Sequence, residues 1–546
     1  MKRISRFLVP IFVLMLFLSV RLLAYTGEII KSFSTPGGFP TGLTWDGKYL
    51  WLADRKDYKI YCIDPSDGQV VRFIESPAYW PMGLAWDGKA LWNIDIKGGL
   101  PLTENYDGKV YRIDPVDGTI LRTIQAPSKN PRGLTWDGKY LWCVDNKEDV
   151  IIQFSPEDGT TIREIKAPAR DPRGLTFDGK YLWVSDRMTD EIYMIDPVSG
   201  STLLITTAPG LFTRGLTFDG MYLWATDYQS DKIFQMKIRD EEHFIKYNEH
   251  PALVTLTHQI TNFGPGIVKQ ADVNIAIPTE RVSQNLADSI EYEPMYSDII
   301  TDKWGQQTAH YKLVDIQPGE QRNLVMKVNV TTSEVRYFIF PDEVGSLKDI
   351  PKEILKIYLE DHEKYQITHP VIQNAVKEAV GGEKNPYWIA RGIFDYIRNH
   401  MYYEMAGGWN TAPTVLARGN GSCSEYSFVY IAMCRAAGLP ARYVGSVVIR
   451  GDDAALDDVF HRWVEVYIPG YEWIPVDPSG GDRDLPRDQT NYFGHLANRF
   501  LITTQSGGGS QSMEWTYNFN ESWITEPKTL IITDHFAEWE PIETTE

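Results

Sequence analysis

The chain has 546 residues, of which 43% are hydrophobic and 23% are charged, a globular composition at a length that predicts several domains. The formal charge is −19, and the four basic groups of the first 24 residues leave −23 on the remainder. An acidic surface repels phosphate backbones, which argues against nucleic acid as a partner, and four cysteines are too few for a disulfide scaffold.

The N-terminal segment reads as a targeting sequence. Basic residues come first, and an apolar run from Phe7 to Val20 follows. This order predicts a signal peptide over residues 1–24, with cleavage after Ala24. The run is short for a membrane span and Arg21 interrupts it, although an uncleaved anchor is the alternative. We therefore predict an exported protein, either secreted or held at the cell surface.

Residues 25–240 contain a repeat of five units. The units begin with sequences such as "GLTWDGKYLW", at Gly42, Gly83, Gly133, Gly174 and Gly215. Their length and alternating apolar residues are typical of four-stranded β-propeller blades, with an Asp-Gly turn between the first two strands. The fifth unit lacks its fourth strand, and "TGEIIKSFSTP" ahead of the first unit would supply it. The sequence thus predicts a five-bladed β-propeller closed by its own N-terminal strand.

Two sets of charged residues recur in these units. An aspartate ends each second strand and an arginine begins three of the first strands: Asp54, Asp95, Asp145, Asp186, Asp227, Arg132, Arg173 and Arg214. Either they ring the channel mouth and hold a polar ligand, or they pair between blades and satisfy turns. The insertion at 97–108 is likewise either a binding loop or a surface excursion. On the first interpretation the propeller holds a protein or glycan ligand.

The middle of the chain, residues 241–345, has no repeat. Segments such as "ADVNIAIP" and "NLVMKVNV" alternate apolar and polar residues between turn-rich stretches. This pattern predicts an immunoglobulin-like antiparallel β-sandwich, in which His258 and His310 are ordinary strand residues. We expect this domain to space and orient its neighbours.

Residues 346–505 change to mixed helix and strand. Helices are predicted over 369–380 and over 385–401, where Asn385 is a suitable cap and Pro386 fits the first helical position. The sequence "GNGSCSEYSF" then starts another helix, and "FHRWVEVYIPGYEWIPVDPS" reads as a β-hairpin. Residues 506–546 form a strand-rich tail to which the sequence assigns no role.

One cysteine, one histidine and one aspartate fall where a thiol nucleophile needs them. Cys423 is expected in the first turn of its helix, where unpaired N–H groups and the helix dipole lower a thiol pKa. Gly419 and Gly421 allow a tight turn before it. On the paired hairpin strands, Asp477 would lie beside His461, giving a base and a carboxylate that orients it.

Each of these residues alone has a structural interpretation. A single cysteine is usually a small core residue, which is how we interpret Cys434. Strand histidines are usually structural, and an Asp-Pro after a strand is often only a turn. The catalytic interpretation depends on all three residues falling in the positions that their roles require.

These motifs also resemble a known family. The segments Gly-x-Gly-x-Cys, Gly-Leu-Pro-Ala-Arg, His-x-Trp-Val-Glu-Val and Trp-x-x-x-Asp-Pro within residues 370–485 are similar to the core of the transglutaminase-like superfamily. The resemblance implies an α+β papain-like fold and assigns the catalytic Cys, His and Asp to Cys423, His461 and Asp477. By the same resemblance, the backbone N–H of Cys423 helps to stabilise an oxyanion. The sequence does not identify the second donor, for which Trp409 and Asn410 are the candidates.

Two residues depart from the family pattern. Animal cross-linking enzymes have tryptophan directly after the nucleophile, where this chain has Ser424, and alanine is common where it has Arg462. The first departure, together with the lack of an acidic loop with calcium-ligand spacing, argues against a calcium-dependent cross-linker. Arg462 is expected to point away from the site and to leave it undisturbed.

The sequence therefore predicts an exported transglutaminase-like thiol enzyme that acts on amide bonds of a peptide or cell-surface polymer. We expect a cysteine peptidase or amidohydrolase rather than an acyltransferase, with no cofactor and no metal. The propeller and sandwich would recruit or present the substrate. The alternative is a non-catalytic cell-surface binding protein in which the propeller is the working part.

Overall fold

The computed structural model describes residues 25–96, 108–239, 243–287, 289–405, 408–451 and 455–542. The predicted signal peptide and nearly all of the 97–108 insertion lie outside these ranges. Within them, no helix combines the length and the apolar composition needed to cross a membrane.

The described residues between 25 and 239 form twenty short strands. They are β1 (Ile29–Ser34), β2 (Pro40–Trp45), β3 (Leu50–Asp54), β4 (Lys59–Ile63), β5 (Val70–Glu75), β6 (Pro81–Trp86), β7 (Leu91–Asp95), β8 (Lys109–Ile113), β9 (Ile120–Gln125), β10 (Pro131–Trp136), β11 (Leu141–Asp145), β12 (Val150–Phe154), β13 (Thr161–Lys166), β14 (Pro172–Phe177), β15 (Leu182–Asp186), β16 (Glu191–Ile195), β17 (Thr202–Thr207), β18 (Thr213–Phe218), β19 (Tyr222–Asp227) and β20 (Lys232–Lys237).

These strands make propeller-like four-stranded antiparallel sheets. Four sheets follow chain order, β2–β5, β6–β9, β10–β13 and β14–β17, and a further sheet has the order β1-β20-β19-β18. The N-terminal strand β1 therefore completes the last repeat, as the sequence predicts. The first strands of the repeats, β2, β6, β10, β14 and β18, contact one another in succession, and β18 contacts β2 again. The sheets thus surround a common axis.

The repeated aspartates are structural. In the first hairpin, Gly47 has a φ of 98° and the carboxylate of Asp46 accepts a 2.7 Å hydrogen bond from the indole of Trp51. The aspartate that ends each second strand is buried and accepts the backbone N–H of a residue before the first strand, as Asp54 does from Phe39 at 2.8 Å. The other four do the same. These five aspartates satisfy turns, which is the second of the two interpretations.

The described residues of the middle region form seven strands. They are β21 (Phe244–Gly264), β22 (Val268–Ala276), β23 (Gln284–Leu286), β24 (Glu291–Glu293), β25 (Asp298–Thr301), β26 (Gln307–Ile316) and β27 (Gln321–Tyr337). His258 lies in β21 and His310 in β26, so both are strand residues as expected.

The C-terminal region is of mixed helix and strand. A 3₁₀ helix spans Leu347–Asp349, and the remaining elements are α1 (Lys352–Tyr358), α2 (Pro370–Val380), α3 (Pro386–His400), β28 (Tyr402–Tyr403), α4 (Ala412–Arg418), β29 (Asn420–Gly421), α5 (Cys423–Ala436), β30 (Ala441–Val448), β31 (Ala455–Asp457), β32 (His461–Ile468), β33 (Glu472–Val476), α6 (Pro486–Thr490), β34 (His495–Leu496), β35 (Phe500–Ser506), β36 (Phe519–Thr525) and β37 (Leu530–Pro541).

The last two strands return to the middle region. β37 pairs with β21, and β36 pairs with β22. The resulting sheets, β23-β27-β21-β37-β31 and β25-β26-β22-β36, bury a shared core that includes Val254, Val273 and Trp539. The tail to which the sequence assigned no role is thus part of both sheets.

Helix α5 is the centre of the C-terminal region. Its residues from Cys423 to Arg435 are all buried, and it packs against β32 and the helices α2, α3 and α4. A helix that is buried on all sides has no polar face to orient it, so its neighbours fix its position. The sheet β33-β32-β30-β35 therefore holds the hairpin at a defined place beside the helix.

Polar contacts join this region to the propeller-like sheets. Arg487 donates to both carboxylate oxygens of Glu191, at 2.5 and 2.9 Å, and Thr490 Oγ1 donates to the carbonyl of Thr202 at 3.0 Å. A two-bond guanidinium–carboxylate pair fixes orientation as well as distance. The short helix α6 is thus one of the contacts between the repeat region and the α+β region, which also share a buried apolar core.

Candidate active site

Cys423 is the first residue of α5, as predicted. Gly419 ends α4 in the left-handed conformation, with a φ of 80°. At Gly421 an added Cβ would lie 2.9 Å from the Cβ of Glu425, so only glycine fits this approach to the helix. The backbone N–H of Ser422 donates to Glu425 Oε2 at 3.2 Å and caps the helix start. These contacts place the sulfur at the positive end of the helix dipole.

His461 and Asp477 form a hydrogen-bonded pair. β32 begins at His461, and β33, which ends at Val476, pairs with it antiparallel. His461 Nε2 lies 2.8 Å from Asp477 Oδ2. The other carboxylate oxygen accepts from the N–H and hydroxyl of Ser479, at 3.0 and 2.6 Å, and from the N–H of Gly480. The carboxylate is thus held on both sides and orients the imidazole.

Because Nε2 of His461 is bonded to Asp477, the other ring nitrogen is the one available to the sulfur of Cys423. Cys423 is 9% exposed, and its thiol shares a hydrogen bond with His461. Burial alone would raise the pKa of this thiol, but the hydrogen bond and charge of His461 outweigh burial and lower it. Burial would lower the pKa of His461, but Asp477 and Cys423 raise it to about 10. The site therefore favours a thiolate–imidazolium pair.

The hydrogen bond between Asp477 and His461 also changes the pKa of Asp477. Burial alone would raise the pKa of Asp477, but the charge and hydrogen bond of His461, with the Ser479 and Gly480 donors, lower it. Asp477 thus stays ionised while His461 carries its proton. The structure brings the three predicted residues into one continuous chain of sulfur, imidazole and carboxylate.

We expected Arg462 to leave the site undisturbed, but it affects the thiol of Cys423. Its backbone N–H hydrogen-bonds to Cys423, and its charge helps to lower the pKa of the thiol. The guanidinium lies over four rings, with centroid distances of 4.3 Å to Tyr517, 4.4 Å to Tyr443, 5.2 Å to Trp409 and 5.4 Å to Phe428. It is fully buried, and its Nη2 donates to the carbonyl of Trp515 at 2.6 Å. This buried cation supports a nearby anion at the sulfur.

The two candidates for the second oxyanion donor, Asn410 and Trp409, lie in different surroundings. Asn410 donates both its backbone N–H and its side-chain amide to Glu425 Oε1, at 3.1 and 2.9 Å, so its amide already has a partner. Trp409 is 38% exposed beside Arg462. The sequence did not indicate a role for Tyr517, whose phenol hydrogen-bonds to Ser424. Burial and the nearby Cys423 raise the pKa of Tyr517. Tyr517 comes from the C-terminal tail, which no local motif connects to the nucleophile.

A small cavity of about 130 Å³ lies beside the histidine–aspartate pair. Its walls include Trp463, Pro475 and Phe500, and the rings of Trp463 and Phe500 lie 5.7 and 5.9 Å from the imidazole. Apolar walls limit the access of water to the carboxylate, which strengthens its interaction with the imidazolium.

The remaining cysteines are buried and free: Cys62, Cys143 and Cys434. Burial raises the pKa of each of them, in contrast to Cys423. Cys434 lies in the apolar core, as expected. Among the residues that the structure describes, no three or more His, Cys, Asp or Glu side chains are arranged to hold a metal ion.

A helix-borne cysteine beside a hairpin histidine and aspartate is an arrangement of thiol enzymes. Residues 373–478 match the family model of the Transglutaminase-like superfamily, so this part of the chain is a transglutaminase-like domain. No curated protein matches the chain.

Solved structures match parts of the chain at low identity. A putative cysteine protease from Cytophaga hutchinsonii is 17% identical, with a TM-score of 0.39, over 56% of this chain and 94% of that one. The glutaminyl cyclase of Myxococcus xanthus is 14% identical, with a TM-score of 0.34, over 40% of this chain and 99% of that one. Virginiamycin B lyase from Staphylococcus aureus is 22% identical, with a TM-score of 0.24, over 38% of this chain and 69% of that one.

Proposed function

We propose that the protein is an exported thiol hydrolase that cleaves amide bonds of a peptide or cell-surface polymer. Cys423 is its nucleophile, His461 its acid and base, and Asp477 the group that orients His461. The single observation that carries the proposal is the hydrogen-bonded chain of these three residues at the N-terminus of α5.

The reaction proceeds through a thioester. The Cys423 thiolate attacks the amide carbonyl carbon, and the backbone N–H of Cys423 donates to the oxyanion that forms. The C–N bond breaks as the His461 imidazolium gives its proton to the departing amine nitrogen. Neutral His461 then takes a proton from water, whose oxygen attacks the thioester carbon. The C–S bond breaks with its electron pair going to sulfur, which releases the carboxylic acid and restores the thiolate–imidazolium pair.

Hydrolysis is preferred to transfer because of the residue that follows the nucleophile. Ser424 stands where a tryptophan would help to shield the thioester from water. Its hydrogen bond with Tyr517 makes this side of the sulfur polar. A polar surrounding favours water over an amine as the acceptor, so transfer to an amine is the minor outcome.

The rest of the chain brings the substrate to this site. We propose that the repeat region is a five-bladed propeller over 25–240, that an immunoglobulin-like sandwich follows over 241–345, and that the catalytic domain spans 346–505. The ion pair between Arg487 and Glu191 supports a fixed placement of the propeller beside the catalytic domain. The N-terminal sequence supports export.

The test is amide cleavage by purified protein with a matched cysteine control. A glutaminyl peptide library is incubated with and without a primary amine, and mass changes separate hydrolysis from amine incorporation. We expect Cys423→Ala to abolish turnover and Cys434→Ala to retain it. The proposal fails if Cys423→Ala turns over every substrate that the parent does.

A further inference from the structure

Five arginines gather at one end of the ring of first strands. Arg132, Arg173 and Arg214 hold the second position of the adjacent strands β10, β14 and β18. Arg55 and Arg187 directly follow β3 and β15, whose ends pair with the starts of β2 and β14. We call these five residues the arginine cluster.

Aromatic rings lie against the guanidinium groups of Arg55 and Arg214. Arg55 lies 3.7 Å from the ring centroid of Trp80 and 5.2 Å from that of Phe39. Arg214 lies 4.9 Å from Phe39 and 4.7 Å from Tyr228. Stacking occupies the planar faces of a guanidinium and leaves its N–H edges free to donate. These contacts therefore hold Arg55 and Arg214 in place, and the rings do not use their N–H donors.

The arginine cluster has more positively charged side chains than carboxylates that form ion pairs with them. Asp171 pairs with Arg173 at 2.7 Å and with Arg187 at 2.6 Å. Arg132 donates instead to the amide oxygen of Asn146 at 2.8 Å. In the described parts of the chain, Arg55, Arg132 and Arg214 have no ion-pair partner.

Neighbouring groups do not fill the unused donors. The five strand-end aspartates already accept backbone N–H groups. The Nε atoms of Arg173 and Arg214 are buried and have no hydrogen-bond partner. Burial and the neighbouring arginines lower the pKa of Arg132 and of Arg214 to about 10. Like charges are thus held together at a cost to the free protein, on a chain whose net charge is −19.

We propose that the arginine cluster binds a ligand carrying two or more oxyanion groups, whether carboxylate, sulfate or phosphate. Guanidinium edges match these groups with paired hydrogen bonds, and the three unpaired arginines match a multivalent rather than a monovalent anion. This site is separate from the thiol site and does not depend on the function proposed for it. It gives the propeller-like region a ligand of defined chemistry.

The test uses the full exported chain with citrate, sulfate and acetate at equal ionic strength. Isothermal titration calorimetry and thermal unfolding are measured for the parent and for the single variants Arg132→Gln, Arg214→Gln and Arg55→Gln. The exposed outer-strand variant Arg122→Gln is the matched control. Inorganic phosphate and a uronic-acid oligosaccharide then distinguish a phosphate source from a carboxylate polymer.

We expect citrate to bind saturably and to raise the Tm, and acetate to do neither. Each cluster variant should weaken citrate binding by about tenfold or more, since each loses a charge-assisted donor. Without citrate, Arg214→Gln should unfold at the parent's temperature or above, because repulsion is relieved. The proposal is overturned if citrate does not bind saturably, if Arg122→Gln weakens binding equally, or if the cluster variants bind as the parent does.

Discussion

Replacing Asp477 by asparagine tests how the carboxylate supports the ion pair. Asparagine keeps the shape of the side chain but loses the charge that faces His461 Nε2 across 2.8 Å. A hydrogen bond to a charged group contributes about 1.5–3 kcal/mol, and one pKa unit corresponds to about 1.4 kcal/mol. The pKa of His461 should therefore fall from about 10 by roughly one to two units.

The two ends of the pH window follow from these signs. The thiolate–imidazolium pair exists above the lowered pKa of Cys423 and below the raised pKa of His461. In Asp477→Asn the imidazolium is less stable, so the pair is lost at a lower pH on the alkaline side. The thiol also needs a higher pH to ionise, because its cationic partner is weaker.

The assay is the rate of iodoacetamide alkylation of Cys423 as a function of pH, followed by peptide mass spectrometry. In the parent the midpoint of the rise in rate should lie below the ordinary thiol pKa of about 8.5. In Asp477→Asn the rise should move to higher pH. The exposed neighbour variant Asp482→Asn should follow the parent. Superimposable profiles for the parent and Asp477→Asn would refute this reasoning.

Three further predictions concern the surroundings of the site. Arg462→Met should raise the pH at which Cys423 is alkylated, while Arg462→Lys restores part of the shift; equal profiles for both variants and the parent would exclude a charge effect. Glu465→Gln should lower the free energy of unfolding in urea by about 3 kcal/mol, because the buried Arg442 and the partly buried Arg281 lose their carboxylate, whereas the exposed Glu472→Gln should change it little. Truncation after Asn518 should give an insoluble or unfolded chain, since it removes β37 from one sheet and β36 from the other. Truncation after Ile542 should leave thermal unfolding unchanged. A soluble, cooperatively unfolding chain ending at Asn518 would contradict the pairing.

Local patterns made much of this architecture predictable. The Asp-Gly turns and alternating apolar residues place the strands of each repeat, and the missing fourth strand points directly to β1 as its replacement. The helix start at Cys423 follows from Gly419, Gly421 and the polar residues around them. The His461–Asp477 contact follows from the side-chain period of two along a tight hairpin.

Contacts between distant segments could not be predicted in this way. The sequence of β37 does not indicate that β21 is its partner, because strand pairing depends on how both faces of the sheet pack. Tyr517 reaches Ser424 only because the chain turns back to the middle sheets after β35. The effect of Arg462 was missed for a related reason: strand alternation gives the direction of a side chain, but not the charge that it adds to a buried neighbour.

The most direct test of the central claim is the ionisation of Cys423 itself. The ultraviolet absorbance of the thiolate is titrated with pH in the parent, and the titration of Cys423→Ala is subtracted. An inflection below the ordinary thiol pKa of about 8.5 is the result that the account predicts. An inflection at or above that value, with His461 and Asp477 intact, would contradict it.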